Sequence, residues 1–139
     1  MNLHPATLAV AGCSILLAAS TGAPARSDTP APEAAAKLAK ALAGRTPGAP
    51  VGCIANFRDT DMTIIDDQTI LFKEGGTVYL QRPQSRCDGL DRSHYTLVTR
   101  LHGSNRLCSG QIGEIVDPVS GAFTGSCVFS EFIPYRKTR

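Results

Sequence analysis

Five cysteines constrain this chain more than any other feature, because of where they fall. Cys13 lies inside an apolar N-terminal run, whereas Cys53, Cys87, Cys108 and Cys127 are spread through a polar body. Cleavage of the first segment on export leaves an even number, the mark of an oxidising compartment and a small domain stapled by two disulfides. No two cysteines stand in a Cys-x-x-Cys pair, so neither a redox motif nor the start of a zinc site is present. Four cysteines allow three pairings, and spacing does not choose among them. The favoured arrangement joins Cys87 to Cys108, the central loop to the strand that follows it, and Cys53 to Cys127, the first strand to the last.

The N-terminus supports export. Ala6–Ala19 is about 14 residues of nearly unbroken apolar character, the length of a signal-peptide core. A spanning helix needs about 20. Ser20-Thr21-Gly22 breaks the run, and Ala23-Pro24-Ala25 carries small residues where a signal peptidase reads, which predicts cleavage between Ala25 and Arg26. The alternative is a lipoprotein signal: Val10-Ala11-Gly12-Cys13 has the shape of a lipobox, with Cys13 acylated and the protein held on the outer membrane. Against it, Ile15-Leu16-Leu17 would then begin the mature chain.

The expected organisation is a signal peptide over 1–25, a tether and short Ala-rich helix over 26–50, and a disulfide-stapled β domain over 51–139. Residues 1–25 contain no Asp, Glu, Lys or Arg, so the formal charge of +2 stays with the mature part. Its size, about 114 residues, suits one domain and not two. Thr29 is expected to cap a helix with Pro30 at its first position; Ala34–Ala43 is strongly helical by composition, and Gly44 sits where a C′ glycine belongs. Leu38 and Leu42 give that helix one narrow apolar stripe, enough to dock on a sheet. Arg45–Pro50 ends it.

From Val51 the apolar period changes from helical to two, with turn residues between short runs. Strands are expected over Val51–Phe57, Met62–Ile65, Thr69–Lys73, Thr77–Arg82, Tyr95–Leu101, Ile112–Asp117 and Ala122–Phe129, with a hairpin turn at Glu74-Gly75-Gly76. The fold class is therefore mainly β: a small antiparallel barrel or sandwich with one short N-terminal helix.

No motif selects a reaction. His94 and His102 are the histidines of the mature part, and no Gly-x-Ser-x-Gly elbow accompanies them; Ser93, Ser104 and Ser126 sit in ordinary turn or strand contexts. Asp59-Thr60-Asp61-Met62-Thr63 opens like a calcium loop but has Ile64 where the sixth-position glycine is required and Ile70 at the twelfth. Asp66-Asp67 reads as turn chemistry before it reads as a cation site. No catalytic residue, cofactor or metal is expected. Arg82, Arg86, Arg92, Arg100 and Arg106 fall in one stretch against Asp88 and Asp91. They are read as a solvated surface with local ion pairs, the sharper alternative being a patch for an anionic envelope polymer. No nucleic-acid partner is expected, since no recognition motif accompanies the charge and an exported protein rarely meets nucleic acid. Phe129, Phe132 and Tyr135 are expected to pack the last strand and its tail, with an exposed aromatic edge as the alternative.

The stretch Leu42–Ile54, the block Ile65–Phe72, Leu97-Val98-Thr99-Arg100 with Leu107-Cys108, and the ending Phe132-Ile133-Pro134-Tyr135 resemble a family of small exported proteins of Gram-negative bacteria built on a domain of unknown function. The resemblance spans most of 42–136. It implies an exported domain that recurs as a unit and transfers no catalytic residue. Together these readings predict a non-enzymatic periplasmic or secreted monomer that binds or scaffolds an envelope protein, or an anionic glycan or lipid. A small cell-wall hydrolase using His94 or His102, and an enzyme inhibitor, are the alternatives.

Overall fold

A computed structural model describes residues 31–55, 61–92, 94–101 and 103–138. The expected signal peptide and its cleavage site at Ala25 and Arg26, with Cys13, Thr29, Pro30, Phe57, Ser93 and His102, lie outside the described residues.

The helix α1 runs Pro32–Leu42 with Pro32 at its N-terminal turn and Ala31 as N-cap. Proline is suited there because the first helical N–H groups have no intrahelical acceptor. Glu33 in the first turn and Lys40 in the last complement the helix dipole. Gly44, at φ +66°, terminates it as expected.

Ten strands follow among the described residues: β1 Arg45–Pro47, β2 Cys53–Ala55, β3 Asp61–Asp66, β4 Thr69–Glu74, β5 Thr77–Gln81, β6 Thr96–Thr99, β7 Arg106–Cys108, β8 Ile112–Val116, β9 Phe123–Val128 and β10 Phe132–Lys137. They form three antiparallel sheets, ordered β1-β10-β5-β4-β3, β6-β8-β9 and β2-β7. The sheets stack as an open sandwich; none closes into a barrel.

The five-stranded sheet is covered on both faces. Ile70 and Phe72 of β4, with Phe132 of β10, face the main core, which also takes Ile54 and Leu107 from the two-stranded ladder and Leu97, Ile115 and Phe129 from the side of the three-stranded sheet. Leu71, Val78 and Leu80 point the other way and meet Leu38, Ala41 and Leu42 of α1. The run Ile70-Leu71-Phe72 is unbroken because both faces of β4 are buried. The expected helix stripe thus docks on a sheet, and Lys37 Nζ donates to the Ile64 carbonyl of edge strand β3 at 2.6 Å.

Two expectations change. Arg45–Pro47, expected only as a helix stop, is edge strand β1, in register with Tyr135–Lys137. The C-terminal tail is strand β10, lying between β1 and β5. As expected, Phe129 and Phe132 pack into the core, fully buried against Phe72 with the three ring centroids 5.9–6.3 Å apart, and the alternative of an exposed aromatic edge is not met by them.

The disulfide pairing is also corrected. Cys53 bonds Cys108 and Cys87 bonds Cys127. The antiparallel register of β2 and β7 places Cys53 directly opposite Cys108, with Cα atoms 4.0 Å apart. Ser109 N–H donates to the Gly52 carbonyl at 2.7 Å, so the neighbouring pair carries the ladder bond and the cysteines occupy the closer, non-hydrogen-bonded site. Cys127 on β9 is left for Cys87 in the loop beneath it.

Candidate functional site

The long connection from β5 to β6 is tied down at several points. Gln84 N–H donates to the Val128 carbonyl at 2.8 Å, and Gln84 Nε2 to that of Phe129 at 3.2 Å. Cys87 N–H donates to the Asp67 carbonyl at 2.8 Å, and its sulfur is bonded to Cys127 in the core. A loop anchored in this way holds its side chains at fixed positions rather than sampling many, which lowers the entropic cost of binding.

Arg86 stands at the centre. Its Nη1 donates to both oxygens of Asp67, at 3.2 and 3.0 Å. The Gln68 amide, with its oxygen toward the guanidinium, accepts from Nε at 2.8 Å and Nη2 at 2.9 Å. Asp67 and Gln68 form the two-residue turn between β3 and β4, in which Asp66 Oδ1 accepts from Gln68 N–H at 2.9 Å. The Asp66-Asp67 pair is thus explained by turn chemistry and by the Arg86 ion pair.

Two clefts meet at Arg86. One, of about 350 Å³, has Arg82, Gln84, Ser85 and Thr69 in its walls. The other, of about 390 Å³, is bounded by Asp67, Asp88, Asp91 and Arg92. Arg82 and Arg86 thus line the first cleft, while Arg86 and Arg92 share the second with the carboxylates Asp67, Asp88 and Asp91.

The remaining arginines of the stretch lie elsewhere. Arg100 forms a forked ion pair with Glu114 across β6 and β8, its Nη2 2.9 Å from Oε2. The Glu114 hydrogen bond and charge together raise the Arg100 pKa. Arg106 projects from β7 and donates to the Cys53 carbonyl at 3.5 Å. The five arginines are divided among separate places, and local ion pairing accounts for Arg86 and Arg100.

The His94 ring meets that of Tyr95 at a tilt of 56°, with centroids 4.1 Å apart. The charged residue it influences is Asp117, whose carboxyl pKa is lowered. The main causes are the N–H groups of Val119 and then Ser120, and the charge of His94 contributes least. Asp117 Oδ1 accepts from Val119 N–H at 2.8 Å, and Ser120 Oγ accepts from Ala122 N–H at 3.3 Å. The carboxylate and hydroxyl are thus engaged in holding an exposed turn. Among the described residues no cluster of three or more His, Cys, Asp or Glu side chains is placed to hold a metal ion, and no helix is long and apolar enough to cross a membrane.

No family model matches the chain, and neither curated proteins nor solved structures give a match. The fixed position of Arg86 is what the sequence did not disclose. Its partners Asp67 and Gln68 lie almost 20 residues upstream and reach it only through the β3–β4 turn.

Proposed function

We propose that this protein is an exported, non-catalytic binding domain whose Arg82–Arg92 loop receives a polar component of the cell envelope. The observation that carries the reading is the meeting of two clefts at Arg86, which is held by Asp67 and Gln68: Arg82 lines one, and Asp67, Asp88, Asp91 and Arg92 line the other. A cationic cleft beside one rich in carboxylates discriminates by position, so the pair favours a ligand with acidic and hydroxyl or ammonium groups close together. An acidic or zwitterionic envelope glycan has that chemistry; a uniformly anionic lipid surface finds no extended positive field there. Export is supported by the two disulfides and by the apolar segment before Arg26. The resemblance to small exported Gram-negative proteins belongs to the same reading.

The test is a chemical-shift titration of the exported protein with a defined acidic glycan, a zwitterionic amino-sugar glycan and vesicles containing anionic lipid. Perturbations confined to 67–68 and 82–92, weakened by Arg82→Ala and Arg92→Ala, are expected for one of the glycans. Shifts centred elsewhere, or none with any of the three, would sink the proposal.

A further inference from the structure

The two disulfides stand in opposite environments. Cys87 and Cys127 are 0% and 1% exposed and belong to the main core. Cys53 and Cys108 are only partly buried, flanked by exposed Gly52 and Ser109. On the ladder they share, Ile54 and Leu107 turn inward and are 2% and 1% exposed, which leaves Cys53 and Cys108 on the outer side. The ladder is three residue pairs long and joins no other sheet.

We infer that Cys53–Cys108 is a thiol–disulfide exchange site, opened by a dithiol while the rest of the fold stays intact. The attacking thiolate must approach along the S–S axis, and this bridge, unlike Cys87–Cys127, is not enclosed by the main core. Arg106 lies two residues before Cys108, on the same side of the strand, and its guanidinium reaches the Cys53 carbonyl. That places a positive charge near the bridge, where it favours the thiolate that must leave.

The exchange balances in two steps. A thiolate of the dithiol attacks one sulfur, the Cys53–Cys108 bond breaks, and the other cysteine leaves as a thiolate. The second thiol of the dithiol then attacks the mixed disulfide, forms the dithiol's own disulfide and releases the remaining cysteine. The dithiol loses two electrons and two protons, and the two cysteines take them up as thiols. The inward packing of Ile54 and Leu107 does not depend on the bridge, so the ladder stays docked when the bridge is open.

The experiment is timed alkylation with peptide mapping of the native, exported protein, using dithiothreitol in one arm and a reduced thioredoxin-type protein in the other. Cys53 and Cys108 are expected to be labelled at least about 10-fold faster than Cys87 and Cys127 in the dithiothreitol arm. Equal speed in the second arm assigns the site to a protein dithiol, and slow labelling there assigns it to small thiols. Arg106→Gln is expected to slow the opening several-fold without changing the order of the bridges. The double variant Cys53→Ala/Cys108→Ala is expected to keep native near-ultraviolet circular dichroism. Both bridges opening in a single step, Cys87–Cys127 opening first, or an unfolded double variant would each overturn the inference.

Discussion

Gln81 is wholly buried, yet it is an amide among aromatic and aliphatic side chains. Its Nε2 donates to the Ser130 carbonyl at 2.9 Å, and its Oε1 accepts from Ser130 N–H at 3.1 Å and Ser130 Oγ at 2.9 Å. This one side chain closes the hydrogen bonding of the bend between β9 and β10. Gln81→Leu keeps the volume and removes both functions, leaving a backbone N–H and C=O without partners. The expected loss is about 1–3 kcal/mol, measured by urea denaturation. Asp117 makes a weaker, pH-dependent case. Its lowered pKa means the folded turn binds its proton less readily than the unfolded chain does. Its contribution is therefore complete above the ordinary carboxylate pKa and is lost as pH falls through the lower folded value. In an NMR titration, the Val119 and Ser120 amide shifts should move together with the Asp117 carboxyl, below the ordinary range. Asp117→Ala should abolish that shared step. Neither role was visible in sequence: a glutamine ending a strand and an aspartate before a proline look alike whether or not the chain returns to meet them.

At the scale of elements, the hairpins were legible and the long-range pairings were not. Gly75-Gly76 sits between Glu74 and Thr77, which close β4 and β5 as a two-residue hairpin, because glycine reaches the positive φ that such a turn requires. Strand β10 was hidden by Pro134, a residue that ordinarily argues against a strand interior. The structure tolerates it because β1 has ended by then: the Pro134 carbonyl accepts from Gly48 N–H at 2.8 Å, and no ladder bond requires the missing proline N–H. Gly113 on β8 has a different reason to be glycine. A Cβ there would lie 2.7 Å from Leu97 Cδ1 and 3.0 Å from Phe129 Cζ, which is too close for either packed side chain. Gly113→Ala is expected to cost about 1–3 kcal/mol through overpacking. Leu97→Ala in the same chain should recover part of that cost if the clash is the cause. A thermal-unfolding cycle over the two single variants and the double variant gives the coupling directly; strict additivity would remove the steric explanation.

For the whole molecule, the even number of body cysteines was informative and their pairing was not, because pairing depends on the β2–β7 register and strand β7 shows only as Arg106-Leu107-Cys108 after a turn. The same distinction decides what each bridge contributes. Cys87–Cys127 spans 40 residues and Cys53–Cys108 spans 55, so the loop-entropy model gives each roughly 4 kcal/mol. By that measure the two are equivalent. Their surroundings are not: removal of Cys87 and Cys127 also leaves voids in the main core and frees the loop that presents Arg86, whereas the other bridge lies outside the packing of Ile54 and Leu107. Against the roughly 5–15 kcal/mol typical of a domain, the loss at Cys87–Cys127 is the graver one. Cys87→Ala/Cys127→Ala should therefore lower Tm more than Cys53→Ala/Cys108→Ala, despite closing the shorter loop. It should also abolish any glycan-induced shifts at 82–92, while the other double variant retains them. Equal Tm losses in the two variants would mean that loop entropy alone governs the stability of this fold, and that the burial of Cys87–Cys127 adds nothing to it.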